Sequence, residues 1–321
     1  MGRRGGSPTD GPDGLVVVDK PAGWTSHDVV AKSRGLLGTR KVGHAGTLDP
    51  DATGVLLLGV GKATKLLRYL SPLGKAYVGE VTLGVETSSL DSSGTVTAVH
   101  DMATVTVADV ARAARAFVGD IEQVPPMVSA VKIDGKRLHE LARQGIEVAR
   151  EPRPVVIHRL DVAEPTGAAG ARIGGEPTDD WVEAATGGAG LTFELSVACS
   201  SGTYIRTLAA DIGSALGGGA HLSALRRTSV GPFSIDESVP LEQVGPERVR
   251  PLVEAVRHLD AVIVDEDGAA AVAVGKVLER SVLGVPDGDG PWAVLDGAGA
   301  LLAVYEPFRG TTAKPSLVIP S

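Results

Sequence analysis

Residues 43–65, GHAGTLDPDATGVLLLGVGKATK, run from a glycine-rich polar loop straight into an unbroken apolar segment. Between Gly54 and Val60 no side chain is polar, so the segment lacks the alternation of a half-exposed strand. A short apolar run of this kind reads as a strand inside a core. Ala63, Leu66, Leu67 and Leu70 follow it at helical spacing. Any sheet this chain builds must therefore carry the segment in its interior, with the loop bearing His44, Asp49 and Asp51 anchored directly on that core.

The rest of the chain supplies partners for such a strand. GLVVVD (14–19) reads as a second short buried strand, and Thr25 with Asp28 forms a capping box that opens a helix to about Leu37. KAYVGEVTLG (75–84) alternates, with Tyr77, Val81 and Leu83 on one face and Val78, Glu80 and Thr82 on the other. A second capping box, Thr106 to Asp109, starts an Ala-rich helix with Val110, Ala113, Ala114 and Phe117 on its apolar side. VPPMVSAVKIDGKRLHELARQG is an extended Pro-containing segment leading to a helix that stops at Gly145.

Val155–Val162 and Leu191–Cys199 alternate as strands, and the helix TYIRTLAADIGSAL buries Ile205, Leu208, Ala209, Ile212 and Leu216. Between those strands, residues 165–190 are rich in Gly, Ala and acids and read as a mobile surface loop. Past residue 250 the pattern turns to short β pieces, with WAVLDGAGALLAVY a hairpin around Asp296–Gly299. Strands and helices without regular βαβ alternation give an α+β fold class. The expected organisation is a disordered tail (1–13), a main domain (14–249) and a small C-terminal β domain (250–321).

Composition narrows the function. Hydrophobic residues make up 43% of 321, enough for a large core. No apolar run approaches the ~20 residues that span a bilayer. The N-terminus, MGRRGGSPTDGPDG, has two arginines but no apolar stretch behind them to make a signal peptide. One cysteine, Cys199, excludes an internal disulfide and a cysteine-based metal cluster, and fits a cytoplasmic location. The net charge of −8 is unevenly spread: from Pro232 onward there are 14 acidic against 7 basic side chains, whereas the residues before it are nearly balanced. Lys32, Arg34, Arg40 and Lys41 form a basic run without an intervening acid, and local patches of this kind attract phosphates.

The polar loop admits several readings. A phosphate-binding P-loop needs G-x-x-x-x-G-K-[ST], but Gly61-Lys62 is followed by Ala63, and Leu56 stands where the first glycine belongs. A metal site from His44, Asp49 and Asp51 would chelate a hard cation, yet no further acids or histidines cluster nearby, and turn chemistry explains Asp-Pro-Asp equally well. A single catalytic carboxylate is the third reading. Gly43 and Gly46 let the backbone approach a ligand, Pro50 fixes the chain after Asp49, and a nearby cation would have to keep a buried carboxylate ionised. A purely structural loop remains the fourth.

Beyond single residues, GHAGTLDP-x-ATGVL with the upstream KPAGWTS resembles the TruB-type tRNA pseudouridine synthases. KAYVGEVTLG, PPMVSAVKIDGKRLHELARQG, SGTYIRTLAADIG and ALRRTSVGPF match the same family in order, so the resemblance covers residues from about 15 to 240. It implies the pseudouridine-synthase fold: a central mixed, largely antiparallel sheet flanked by helices, followed by a small PUA-like β domain. It also implies isomerisation of uridine 55 in the tRNA T-loop by base flipping, without metal or other cofactor.

The resemblance implies roles as well. Asp49 is the essential carboxylate, Arg206 its ion-pair partner, and Tyr77 the tyrosine that stacks on the target base and assists proton removal. Tyr204 and Leu225 line the base pocket. His44, with Gly46 and Thr47 of the same loop, meets the rearranged RNA. Lys20 supports the pocket or meets phosphate, and Lys132, with Lys136 and Arg137, clasps the RNA. The segment VETSSLDSSG departs from the family pattern, which weighs against a second carboxylate there, and residues 165–190 have no counterpart. A monomer that acts on tRNA without guide RNA or membrane is expected. The alternatives are a T-arm-clamping RNA chaperone with little catalysis and the guide-RNA-dependent sister group.

Overall fold

The computed structural model describes residues 11–129, 132–133, 135–146, 148–169, 173, 191–285 and 288–320, with the backbone alone at 132, 133, 136, 137, 139, 142 and 143. The interior of the 165–190 segment and the first ten residues lie outside the described residues.

One ten-stranded sheet organises the chain. Its strand order is Val239–Pro240, Gly14–Lys20, Thr53–Val60, Ala220–Val230, Lys75–Leu83, Thr192–Cys199, Arg153–Ala163 and Gly119–Gln123, with Val42–Ala45 and Phe233–Ser234 attached beside this path. Pairing is antiparallel except where Val239–Pro240 meets Gly14–Lys20 and where Thr53–Val60 meets Ala220–Val230. The sheet is therefore mixed and largely antiparallel, as the resemblance implied.

The apolar run behaves as its composition requires. Leu56 and Leu58 enter a cluster with Val16, Val18, Val29 and Val30, which brings in the helix Ser26–Leu36. Val55 and Leu57 enter a different cluster, with Leu15, Leu66 and Leu70. Alternate residues face opposite layers, so every position from Thr53 to Val60 is buried. Each fully buried leucine stabilises the fold by roughly 1.5–3 kcal/mol relative to exposure. Ser26–Leu36 opens at the expected box: the Thr25 hydroxyl accepts the Asp28 N–H at 3.0 Å, and the Asp28 carboxylate accepts the Thr25 N–H at 3.0 Å. The same arrangement opens Val107–Ala114 at Thr106 and Asp109. The helical spacing after Val60 resolves into a 3-10 turn, Gly61–Lys65, and a single α turn, Leu67–Leu70.

The join between Thr53–Val60 and Ala220–Val230 is short, pairing only Arg226 with Thr53 and Arg227 with Gly54. Gly54 makes it possible. Its φ is +101°, and a Cβ there would stand 2.2 Å from the Arg227 carbonyl oxygen. This join sets the end of the polar loop against the start of Arg226-Arg227, in the middle of the sheet.

A second, five-stranded sheet follows, in the order Asp260–Ile263, Trp292–Leu295, Leu301–Pro307, Thr312–Val318 and Leu278–Glu279. The expected hairpin joins Trp292–Leu295 to Leu301–Pro307, and the Asp296 carboxylate accepts the Ala298 and Ala300 N–H groups at 2.9 Å each. Ala293, Leu301 and Val304 share the cluster of Leu57 and Leu66, so the small sheet packs on the large one through apolar side chains. Polar contacts seal the same seam: Tyr69 Oη meets Ser316 Oγ at 2.6 Å, and Lys62 Nζ donates to the Pro320 carbonyl at 2.7 Å.

Candidate active site

Asp49 sits in the turn between Val42–Ala45 and Thr53–Val60, and its neighbours are tied down from three directions. On the N-terminal side, the Arg227 guanidinium donates to the carbonyls of Gly46 at 3.2 Å and Thr47 at 3.3 Å, with a third bond to Val55 at 2.7 Å. Leu48 is clasped by Ser26, whose hydroxyl accepts the Leu48 N–H at 2.9 Å and donates to its carbonyl at 3.2 Å. After it, Lys20 Nζ donates to the Pro50 carbonyl at 2.6 Å. The same ammonium also holds Pro21 and Trp24 carbonyls at 2.8 and 2.6 Å, and Lys20 is wholly buried. The sequence left open whether Lys20 supports the pocket or meets phosphate; all three of its protons are directed at carbonyls inside the protein. Burial brings its ammonium down to about 8, against the opposing pull of Asp51 and Asp49.

Across the cavity Arg206 occupies the first turn of the helix Ile205–Ala215 and is only 4% exposed. Its guanidinium forks onto Asp49, with Nε 3.0 Å from Oδ2 and Nη2 3.3 Å from Oδ1. Nη1 donates to the Ser89 carbonyl at 2.9 Å and Nη2 to the Val128 carbonyl at 2.8 Å. Asp49 is thus enclosed by protein on its flanks while 41% of its side chain opens on the cavity. Loss of water pushes its carboxyl above the ordinary range; Arg206 pulls it back down, and Asp91 adds to the rise.

Asp91 corrects the sequence reading of VETSSLDSSG. A second carboxylate is present after all: Asp91 is buried, and its Oδ2 lies 3.5 Å from Arg206 Nε. The buried guanidinium therefore faces two acids.

The cavity, about 270 Å³, is lined by this pair together with Tyr77, Tyr204, Leu225 and Lys75, and by Gly46 and Thr47 of the loop. Tyr77 points inward from Lys75–Leu83, and burial raises its phenol above the usual range while the neighbouring Arg227 opposes this. Its strand mate Lys75 donates from Nζ to the Ser71 and Leu73 carbonyls at 2.9 and 2.6 Å, and burial brings it down to about 8. Tyr204 is fixed through its backbone by Gln123, whose side chain accepts the Tyr204 N–H at 2.9 Å and donates to its carbonyl at 3.3 Å.

The remaining sequence-derived residues lie elsewhere. His44 stays outside the cavity lining, edge-on to His27 with ring centroids 5.3 Å apart. Burial and that second imidazole lower its pKa. Lys132 lies in the short hairpin Lys132–Ile133/Lys136–Arg137, and its side chain is outside the described residues.

Arg227, Lys75 and Gln123 were missed from sequence. Strand parity could have found the first two, because Arg227 lies two residues after Leu225 and Lys75 two before Tyr77. Nothing local marks Gln123. Among the described residues no three His, Cys, Asp or Glu side chains converge as a metal set.

Known proteins place this architecture. The TruB family pseudouridylate synthase N-terminal domain matches residues 34–205, and the tRNA pseudouridylate synthase B C-terminal domain matches 206–269. The chain is 44% identical over 311 residues to tRNA pseudouridine synthase B of Arthrobacter sp. (strain FB24), covering 95% of this chain and 96% of that one. With the same enzyme of Thermobifida fusca (strain YX) it shares 48% identity over 245 residues, covering 76% and 78%. Among solved structures, a Cbf5-Nop10-Gar1 complex contains a chain that superimposes with a TM-score of 0.70 at 27% identity, covering 96% of this chain and 86% of that chain. With a family match over more than half the chain and relatives of this identity along nearly all of it, the protein belongs to the TruB family of pseudouridylate synthases.

Proposed function

We propose that this protein is a stand-alone isomerase that converts uridine 55 in the T-loop of tRNA to pseudouridine. The observation that carries the reading is the Arg206 fork on Asp49 at a cavity that also presents Tyr77, Tyr204 and Leu225. The space suits one extruded base and not a duplex, so the uridine must leave its stack to enter. The isomerisation balances within the nucleotide: N1–C1′ breaks, the uracil turns, C5–C1′ forms, the C5 proton leaves and N1 takes up a proton.

In this reading Asp49 acts on the ribose as the ionised carboxylate, and the Arg206 guanidinium paired with it favours that form. Tyr77 keeps its phenolic proton at neutral pH, since burial raises it, and therefore serves as a stacking face and a neutral hydrogen-bonding group. Gly46, Thr47, His44 and Lys132 meet the RNA loop, and the exposed Lys32, Arg34, Arg40 and Lys41 offer charge to its phosphates. Residues 14–249 form the catalytic body, 250–321 a PUA-like appendage, and the protein works as a cytoplasmic monomer. No helix among the described residues is long and apolar enough to cross a membrane.

Release of tritium from C5-labelled uridine in a T-arm hairpin, with neither metal nor guide RNA added, tests the reading. Wild type should release label and Asp49→Asn should not. The guide-RNA-dependent sister group is the second reading. Release only after a guide RNA is supplied would establish it. Binding without release under either condition would leave the T-arm clamp.

A further inference from the structure

Asp91 is a buried acid whose two oxygens are treated differently. Oδ1 accepts the Ser89 hydroxyl at 2.6 Å, the Ser93 hydroxyl at 2.5 Å and the Ser93 N–H at 3.0 Å. Oδ2 faces Arg206 Nε at 3.5 Å. The turn that arranges this is held in a costly shape. Leu90 adopts φ 63°, the one positive φ outside glycine among the described residues, and a left-handed non-glycine residue costs roughly 1–2 kcal/mol. The turn is pinned by Leu90 N–H to the Thr87 carbonyl at 3.1 Å, by the Thr87 hydroxyl to the Asp91 carbonyl at 2.7 Å, and by Leu222 N–H to the Leu90 carbonyl at 3.1 Å. Gly94 makes room for the Ser89 hydroxyl, since a Cβ there would lie 2.5 Å from it.

This asymmetry bears on Arg206, which has one Nε–H for two carboxylates. Asp49 Oδ2 holds it at 3.0 Å and Asp91 Oδ2 waits at 3.5 Å. A carboxylate that can offer both oxygens makes the strongest contact with a guanidinium, the two-bond fork. Freed to rotate, Asp91 would form that fork and draw Arg206 off Asp49. With Oδ1 already filled, it can offer only one oxygen.

We propose that Ser89 and Ser93 are positioning residues for the isomerisation: by occupying Oδ1 of Asp91 they limit that carboxylate to a one-oxygen contact, and so keep the Arg206 fork on Asp49. This rests on Asp49 as the reacting carboxylate. Asp91 remains close enough to balance the guanidinium when Asp49 turns toward the ribose.

The test is the double variant Ser89→Ala/Ser93→Ala, which preserves the Ser89 carbonyl and Ser93 N–H contacts. Its single-turnover tritium release from the T-arm hairpin should fall ~10–100-fold, as expected for a misplaced reacting group, with hairpin affinity within about twofold. The acid limb of that rate should move to higher pH, because Asp49 loses its fork. Ser93→Thr, which keeps a hydroxyl, should recover most of the rate lost in Ser93→Ala. In a crystal structure of the double variant, Arg206 Nε should lie nearer Asp91 than Asp49. An unchanged rate, a rate loss with the acid limb fixed or moved down, or a guanidinium still forked on Asp49 would overturn the proposal. Should the wild type release no tritium, the proposed function fails, and the position of Arg206 in the crystal alone decides whether the two serines hold its fork on Asp49.

Discussion

Arg227→Met removes a cation that never meets solvent while keeping a side chain of similar length. Arg227 is 1% exposed and bonds the carbonyls of Gly46, Thr47 and Val55. Each buried acceptor left without its donor costs about 1–3 kcal/mol. The bonds to Gly46 and Thr47 are long, at 3.2 and 3.3 Å, so they belong at the low end, and the 2.7 Å bond to Val55 at the high end. The sum is about 5 kcal/mol, a large share of the ~5–15 kcal/mol that keeps a domain folded, so the Tm should fall steeply. The consequence for chemistry is separate. Gly46 and Thr47 stand three and two residues before Asp49, the carboxylate proposed to react, and a shift of about 1 Å in a reacting group costs on the order of 100-fold in rate. Thermal unfolding and single-turnover tritium release on the T-arm hairpin measure the two effects on one preparation. The expected result is a lower Tm and a ~100-fold slower step, with hairpin affinity nearly unchanged. A full-rate variant with the lowered Tm would refute the argument that this arginine places the Asp49 loop, leaving it a plain core brace.

Three further outcomes follow from the same geometry. Because desolvation raises the Asp49 carboxyl, the acid limb of the single-turnover rate should lie above the ordinary aspartate pKa of ~4, with activity lost as pH falls through it. A pH–rate profile checks this. Glu237, held by Arg257 and Arg250, has its carboxyl lowered from 4.5 to about 2, so its contribution is complete above pH ~4.5 and fades as pH falls toward 2. Discounted for partial exposure, Glu237→Gln should cost about 1–2 kcal/mol in urea unfolding at pH 7, with a smaller deficit at pH 4. Gly54→Ala should cost more than ~3 kcal/mol or abolish soluble expression, since its Cβ would meet the Arg227 carbonyl at 2.2 Å with φ at +101°; a melt equal to wild type would contradict the tight strand crossing.

What could be read in the sequence was what is set locally. The capping boxes at Thr25 and Thr106 and the alternation through Tyr77, Val81 and Leu83 depend on residues within a few positions of one another, and they appear where expected. The surroundings of Asp49 depend on distance in space. Of the adjacent pair Arg226 and Arg227, one reaches out to Asp19 at 2.7 Å and the other turns into the core, and only strand parity with Leu225, not the motif itself, marks which. Asp91 was discounted because its segment departs from the family pattern, yet the turn at Leu90 delivers its carboxylate to Arg206 all the same. Helical spacing after Val60 overstated the helix: the chain is 3-10 through Lys65 and makes only one α turn afterwards.

The strand order also sets a timetable for synthesis. Ala220–Val230 lies between Thr53–Val60 and Lys75–Leu83, so two strands made early cannot complete the sheet until one made much later enters between them. Pairings of such long sequence separation form slowly, because the intervening chain must first be closed into a loop. Both arginines that hold the Asp49 loop also arrive late, Arg206 on the helix just before that strand and Arg227 within it. A nascent chain that has passed Asp49 therefore carries that carboxylate without its ion-pair partner or its brace. It gains a competent site only when the last central strand is in place, so ribosome-bound fragments of the first 200 residues should be inert toward RNA chemistry.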